Sequence, residues 1–445
     1  MIKKAKSLLF SSRKNKENQK KEAKAIDNTI EEFFENDNQS IDQLAPEEQK
    51  IQKHKEPPIE DLESLINLYS EGEFTEALSL INELLDQFPY SMDLYNIAGA
   101  SNAGLRKFDA SINNYQQAIK INPNFADAHN NIGNAFLEKG ELDEAIANYK
   151  QATLINPEYF EAYLNLGNAL MDKGMQDEAI DNYKEAIKIN PNLAIAYYLI
   201  ANAFKSKGDL KNAITNYKKA TLIYPDYTEA YVNLGNVLMG KGMLDEAIDN
   251  YKQAIIINPD YAEAFNNLGS ALRGISMLDE AIDNYKEAIK INPDYADAFC
   301  NMGDALYANG RLNEAIDCCE KAIKINPNYT EAFYNMGKAL MDRGDLDMSL
   351  DNYMKVIKLK PDFADAYLNM GNVLANKRDP NKAIEFYQHA IKINPNHSEA
   401  YFNQSLCNLS KEDFKKGWPQ YEHRWDSASF NYDYFESEVA RWDPS

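Results

Sequence analysis

The sequence predicts an all-α chain, a solenoid of stacked antiparallel helix pairs, from three observations. Prolines recur at 89, 123, 157, 191, 225, 259, 293, 327, 361 and 395, at one constant interval. Gly99, Gly133, Gly167, Gly235, Gly269, Gly303, Gly337 and Gly371 climb by the same period or twice it, beside Ala145, Ala179, Ala213, Ala247, Ala281 and Ala315 and Tyr115, Tyr149, Tyr183, Tyr217, Tyr251 and Tyr285. Within each period, apolar residues fall three and four apart in two successive runs. Self-similarity on this scale marks a repeat array. It overrides the two or three globular domains that 445 residues would otherwise suggest.

Taken in order, residues 1–57 are charged and poor in aromatics, basic from Lys3 to Lys24 and acidic from Asp27 to Glu48. Low hydrophobicity with blocks of like charge predicts a disordered tail; a basic arm that touches a membrane or an acidic partner is the functional alternative. Leu8-Leu9-Phe10 is too short for the apolar stretch of a signal peptide before Arg13 and Lys14 intervene.

Residues 58–397 hold ten 34-residue units, and residues 160–193 show their physics. The first run places Ala162, Tyr163, Leu166, Gly167 and Leu170 on one face, and Lys173-Gly174 breaks it. The second run places Ala179, Ile180, Tyr183, Ala186 and Ile187 alike, and Asn190-Pro191 ends it, because proline disfavours helix at the residue before it. Gly167, Ala179 and Ala186 are small where two helices must approach, and the tyrosines fill the remaining space. So short a pair cannot bury its apolar face alone, and successive pairs must stack. Residues 398–431 form a degenerate eleventh unit in which Phe414, Trp418, Tyr421 and Trp425 recur at helical spacing. That spacing predicts a Trp-rich helix capping the last repeat's exposed core, with 432–445 as a tail. Arg424, in place of a buried alanine such as Ala390, stops further stacking.

Charge and chemistry narrow the function. A formal charge of −22 speaks against nucleic-acid phosphates and an acidic membrane surface as partners. No apolar run approaches the roughly 20 residues of a membrane span. Cys300, Cys318, Cys319 and Cys407 show no CxxC spacing, and His54, His129, His389, His397 and His423 are scattered. Reduced thiols in a cytoplasmic protein, no metal and no cofactor are the expectation.

Tyr163, Leu166-Gly167, Leu170, Ala179, Tyr183 and Pro191 fill in order a large aromatic, Leu-Gly, a bulky residue, Ala-x3-aromatic and Pro. This resembles the tetratricopeptide repeat over roughly residues 58–431. The resemblance implies a right-handed superhelix whose first helices line a concave groove for a protein or peptide. In the unit 160–193 the unpacked face of the first helix carries Glu161, Asn165, Asn168 and Asp172. One asparagine row comprises Asn131, Asn165, Asn233, Asn267, Asn301, Asn335, Asn369 and Asn403, and a second Asn134, Asn168, Asn202, Asn236 and Asn372. Amides offer donors and an acceptor, matching the alternating groups of an extended peptide whatever its side chains. Arg273, Asp304, Lys338, Cys300 and the stretch Ile195, Tyr198, Leu199 then carry specificity. Duplication of nearly identical units would also copy an asparagine that binds nothing. The acidic row Asp127, Glu161, Glu229, Glu263, Asp297, Glu331, Asp365 and Glu399 stands at capping-box spacing, three residues after an Asn, Asp or Glu. A subclass of the family grips C-terminal carboxylates with basic residues, but here those slots hold Asn130, Leu164, Tyr198, Val232 and Asn266.

The stretch Asp413–Trp425, with a later Trp442-Asp443, resembles the junction that precedes a glycosyltransferase-like domain in bacterial tetratricopeptide proteins. The asparagine rows resemble the substrate arm of O-GlcNAc transferases, which implies polypeptide binding at the thirteen asparagines. Ser445 stands where a catalytic domain would begin. The expectation is therefore a non-catalytic scaffold. The alternative is a recognition arm whose glycosyltransferase partner is missing or separately encoded, and meets the chain at its C-terminal end through Trp418, Trp425 and Trp442.

Overall fold

A computed structural model describes residues 56–426. The expected tails, and Trp442 with them, lie outside the described residues, apart from the few at the near edge of the first. The described residues form α-helices and one 3-10 turn, without strands. They part into two compact units between Pro225 and Asp226.

The first unit contains α1 (Ile59–Glu71), α2 (Phe74–Gln87), α3 (Met92–Gly104), α4 (Phe108–Ile121), α5 (Ala126–Lys139), α6 (Leu142–Ile155), α7 (Phe160–Asp172), α8 (Gln176–Ile189), α9 (Ala194–Ser206) and α10 (Leu210–Ile223). The second contains α11 (Thr228–Gly240), α12 (Leu244–Ile257), α13 (Ala262–Gly274), α14 (Leu278–Ile291), α15 (Ala296–Ala308), α16 (Leu312–Ile325), α17 (Thr330–Arg343), α18 (Leu346–Leu359), α19 (Ala364–Asn376), α20 (Pro380–Ile393), α21 (Ser398–Ser410) and α22 (Phe414–Tyr421), with the 3-10 turn Glu422–Asp426. Odd-numbered helices open a repeat and even-numbered ones close it. Within each unit every helix packs on the next, and most neighbouring odd-numbered helices also touch.

Each turn is dictated locally. Gly174 ends α7 at φ +79°, a left-handed conformation that costs glycine nothing. Between most repeats the residue before the proline is an asparagine whose side chain accepts a backbone N–H two residues on, as Asn190 Oδ1 does from Asn192 (3.2 Å) and Asn292 from Asp294 (3.2 Å); Phe88, Tyr224 and Lys360 stand there instead before Pro89, Pro225 and Pro361. That Asx turn re-aims the chain into the following helix.

The capping-box expectation is corrected here. The N-caps of the odd-numbered helices are mostly aromatic, for example Tyr227 before α11 and Tyr261 before α13, and neither offers a side-chain cap. The acidic residues do lie in the first turn, as Glu229 and Glu263 do, where the helix dipole favours them. Lys120, Lys188, Lys290, Lys324 and Lys392 occupy the last turns of α4, α8, α14, α16 and α20. Ion pairs tie one repeat to the next, as Lys139 to Asp109 at 2.9 Å, Lys173 to Asp143 and Lys377 to Asp347. Exposed pairs of this kind contribute about 0–1 kcal/mol each.

The core repeats one motif. The rings of Tyr115, Tyr149, Tyr183, Tyr251, Tyr285, Tyr353 and Tyr387 lie on the glycine ladder so closely that a Cβ at Gly167 would meet Tyr183 Cε1 at 2.4 Å. In residues 194–227 Ala201 replaces that glycine beneath Tyr217. In residues 296–329 Cys319 replaces the tyrosine over Gly303.

The last repeat departs from expectation. The periodicity predicts one helix through Trp425, whereas α22 ends at Tyr421 with Pro419 inside it, and a 3-10 turn follows. Proline withdraws a backbone donor from the ladder and crowds the preceding turn. Phe414, Trp418 and Trp425 remain exposed. Closure against α21 comes from Gly417 on Leu409, Asn408 to Gln420 (2.8 Å) and Gln420 to Gln404 (3.1 Å).

Candidate functional site: the asparagine rows

The odd-numbered helices present both asparagine rows, and the structure shows what each amide touches. Most first-row side chains donate backward to the preceding repeat, whereas the buried Asn131 nitrogen has no hydrogen-bond partner. In the first unit Asn165 Nδ2 reaches Asn130 Oδ1 at 2.9 Å. In the second, Asn267 reaches Asn236 (3.0 Å), Asn301 reaches Asn266 (3.0 Å), Asn369 reaches the Tyr334 hydroxyl (3.1 Å) and Asn403 reaches Asn372 (2.9 Å). Asn335 points at Cys300 Sγ (3.6 Å). Asn131 is buried; Asn165, Asn233, Asn267, Asn301, Asn335, Asn369 and Asn403 are half-buried.

Second-row asparagines accept from the core. Tyr149, Tyr183, Tyr251 and Tyr387 donate their hydroxyls to Asn134 (2.7 Å), Asn168 (2.8 Å), Asn236 (2.7 Å) and Asn372 (2.9 Å), and Tyr217 donates to Asn202. Ser270 meets Tyr285 in the same way at 3.1 Å. The sequence reading missed this coupling. Its signal is that row-two residue and core tyrosine stand 15 apart, and that both differ in the repeat carrying Asp304 and Cys319.

Of the proposed specificity positions the structure brings together Arg273, Asp304 and Lys338. Asp304 accepts from Arg273 Nη1 and, at 3.5 Å, from Lys338 Nζ. The Lys338 ammonium lies 4.5 Å from the Tyr307 ring centroid and 5.8 Å from that of Tyr334, and the Tyr307 hydroxyl donates to Asp342 at 2.7 Å. Cys300 instead lies buried beneath the row, and burial pushes its thiol up to about 11. Ile195 is exposed, while Tyr198 and Leu199 are half-buried, with Tyr198 tilted 5.9 Å from Tyr217.

Near the end, an open hollow of about 540 Å³ is lined by Asn372, Ala375, Asn376, Tyr387, Asn403 and Leu406, among others. Beyond it, Arg424 stacks on Tyr421 and Trp425 (4.5 and 4.3 Å to the centroids), and His423 on Tyr401 (4.4 Å). Among the described residues no group of three or more His, Cys, Asp or Glu could hold a metal, and no helix is long and apolar enough to cross a membrane.

Stacked helix pairs of constant length, with a row of amides along the opening helices, define a helical-repeat interaction protein. The chain belongs to the tetratricopeptide repeat family. A tetratricopeptide family model matches residues 106–140, 133–174, 167–208, 201–242, 235–273, 277–310 and 337–377, more than half of the chain; two more match 296–329 with 364–397, and 318–351. The chain is 34% identical over 73 residues to a probable UDP-N-acetylglucosamine–peptide N-acetylglucosaminyltransferase, SEC, of Arabidopsis thaliana. That match covers 16% of this chain and 8% of the relative's length. Similar solved structures include MamA (31% identical, 36% of this chain and 95% of that one, TM-score 0.35) and YrrB, described as a tetratricopeptide protein with an unusual peptide-binding site (29%, 41% and 95%, 0.36). PilF of Pseudomonas aeruginosa is 19% identical over 49% of this chain and 98% of its own, with a TM-score of 0.43. The repeats make the chain a protein-interaction scaffold.

Proposed function

We propose that this scaffold is non-catalytic and holds an extended polypeptide along the amide-lined face of its odd-numbered helices. The observation that carries the reading is the division of labour between the rows. Row-two oxygens accept the core tyrosine hydroxyls, which fixes these amide planes for a peptide, although the Asn372 N–H already donates to Asn369 at 3.4 Å. Row-one amides donate one N–H to the preceding repeat, which fixes their planes and leaves a second donor and acceptor capacity, part of which Asn266 and Asn372 use at Asn267 and Asn369. Alternating donors and acceptors suit a backbone rather than particular side chains. Amides already held in place lose little freedom on binding, which favours affinity.

The test is fluorescence anisotropy with a labelled pool of random 15-residue peptides and the variant Asn233→Ala, Asn267→Ala, Asn301→Ala. Each alanine improves helix propensity by up to about 0.7 kcal/mol. That offsets much of the loss of partly exposed inter-repeat bonds, about 0.5–1.5 kcal/mol each. Folding should survive and peptide binding should weaken at least tenfold; unchanged binding would remove the asparagine rows from the function.

A second reading rests on Phe414, Trp418 and Trp425, exposed together on the final pair. There the chain is the recognition arm of a separately encoded glycosyltransferase that docks on Trp418, Trp425 and Trp442. Resemblance to the Arabidopsis transferase supports it over a short stretch. Trp418→Ala with Trp425→Ala should then abolish co-elution with that catalytic domain in gel filtration while leaving peptide binding intact.

A further inference from the structure

In the second unit the two amide rows are neutral from α11 to α21 except at neighbouring repeats, where row two reads Asp304 and then Lys338. The exception is coordinated with the core. Elsewhere in this unit Tyr251 and Tyr387 donate to Asn236 and Asn372, and Tyr285 meets Ser270, while the last repeat carries the apolar Leu406 in row two. At Asp304 that tyrosine is Cys319, which has no hydroxyl to give, so the carboxylate turns outward to Arg273 and Lys338. At Lys338 the core tyrosine stays, and the buried Tyr353 hydroxyl is left without a hydrogen-bond partner. An ammonium cannot accept, and an orphaned buried hydroxyl costs stability. A change that carries such a cost and is matched in the core beside it points to a use.

The charges state what the use is. One carboxylate lies between a guanidinium and an ammonium, leaving this trio with a net positive charge. The two cations bring about eight N–H donors, whereas a carboxylate offers about four lone-pair sites. Arg273 is nearly half exposed and Lys338 about a quarter, with side-chain exposures of 45% and 25%. Lys338 is held over the Tyr307 ring, and Tyr307 is anchored to Asp342, so the ammonium is positioned before any ligand arrives. These residues are not the slots at Asn130, Leu164, Tyr198, Val232 and Asn266, where a grip on a C-terminal carboxylate would have to sit.

We propose that Arg273 and Lys338 form a subsite for an anionic side chain of the held polypeptide, with Asp304 as its resident occupant. The proposal deepens the polypeptide-binding reading and rests on it. The ligand group is a carboxylate or a phosphoryl oxygen set, and binding it means displacing Asp304 or sharing the two cations with it.

The experiment uses the full chain and four fluorescein-labelled 15-residue Gly/Ser/Thr peptides that differ only at the central residue: Glu, phosphoserine, Gln or Lys. Anisotropy titration should rank Glu or phosphoserine about tenfold tighter than Gln, a ratio that shrinks at high salt, with Lys weakest. Preference for phosphoserine alone supports the subsite and assigns it to phosphoryl groups; preference for both assigns it to anions generally. Lys338→Met should erase the preference while the Gln peptide binds as before, and Asp304→Asn should strengthen it by removing the competitor. Equal binding of Glu and Gln peptides, or tightest binding of Lys, overturns the subsite but leaves the amide rows standing. Binding of none of the four overturns both.

Discussion

Residues 160–193 and residues 296–329 are one structural unit written in two ways. In the first, Tyr183 packs on Gly167 and donates to Asn168; core and exposed face are joined by a single hydrogen bond. In the second, Cys319 takes the tyrosine's place over Gly303, and Asp304 turns to Arg273 and Lys338. The comparison teaches that the row-two side chain has two employers. While the tyrosine is present an acceptor there satisfies its hydroxyl, and a side chain that cannot accept leaves it stranded, as Lys338 leaves Tyr353; once the tyrosine is gone, the side chain can serve the outer face.

The largest expected difference between the two units lies in the core. Tyr183 is essentially fully buried, and Tyr183→Ala should cost about 3–5 kcal/mol, the range for removing a buried aromatic. Cys319→Ala removes one atom and should cost about 1 kcal/mol, near one buried methylene. Urea denaturation followed by helical circular dichroism measures both. Comparable shifts in midpoint would break the contrast.

Glycine sharpens it. A Cβ at Gly167 would meet Tyr183 carbons at 2.4, 2.7 and 2.9 Å, whereas at Gly303 it meets Cys319 Sγ at 3.0 Å and the Ala315 carbonyl at 3.2 Å. Gly167→Ala should lose about 1–3 kcal/mol through overpacking. Gly303→Ala should lose less, since helix propensity returns up to about 1 kcal/mol against a milder clash. The two variants' denaturation midpoints, compared directly, decide it.

Next comes the hydrogen bond itself. Asn168→Ala strands the Tyr183 hydroxyl at a cost of about 1–3 kcal/mol, less the gain of alanine in a helix, about 0.7 kcal/mol. Lys338→Asn does the reverse, giving the orphaned Tyr353 hydroxyl an acceptor, and should stabilise the chain by about 1 kcal/mol. A destabilised Lys338→Asn variant would mean that the Lys338–Asp304 contact outweighs the core bond.

Much of this is legible in the amino-acid order itself. Lys173-Gly174 and Asn190-Pro191 end α7 and α8 where the turn chemistry requires, and the glycine and tyrosine ladders meet ring to backbone. The helix starts misled because each helix begins one residue later than the capping-box spacing implies, so that the N-cap falls on Tyr227 or Tyr261 and not on Asp226 or Asp260. The final helix misled because apolar spacing does not register Pro419. At the candidate site, Arg273, Asp304 and Lys338 could each be singled out, but not their convergence on one carboxylate. The clue was spacing: Arg273, Asp304 and Lys338 follow one another at roughly one repeat, as do Asn236 and Asn267, which also touch.

The smallest expected effect concerns the thiols that accompany the rewritten unit. Burial pushes Cys300 and Cys318 each up to about 11 and Cys319 higher still. At pH 8 a thiol titrating near 11 is about 0.1% thiolate, against about a quarter for an exposed one, and the thiolate is the reactive form. The native chain should therefore react with a disulfide reagent far more slowly than the urea-unfolded chain. The folded values lie above the unfolded ones, so the stability from keeping these thiols neutral is fully present below about pH 8.5. It fades as the pH rises toward 11. Cys300→Ser should flatten part of that alkaline loss, read as denaturation midpoint against pH. Rapid reaction of Cys300 in the native chain would instead show that residues 296–329 open readily, and that the unit which gave up its tyrosine is also the looser of the two.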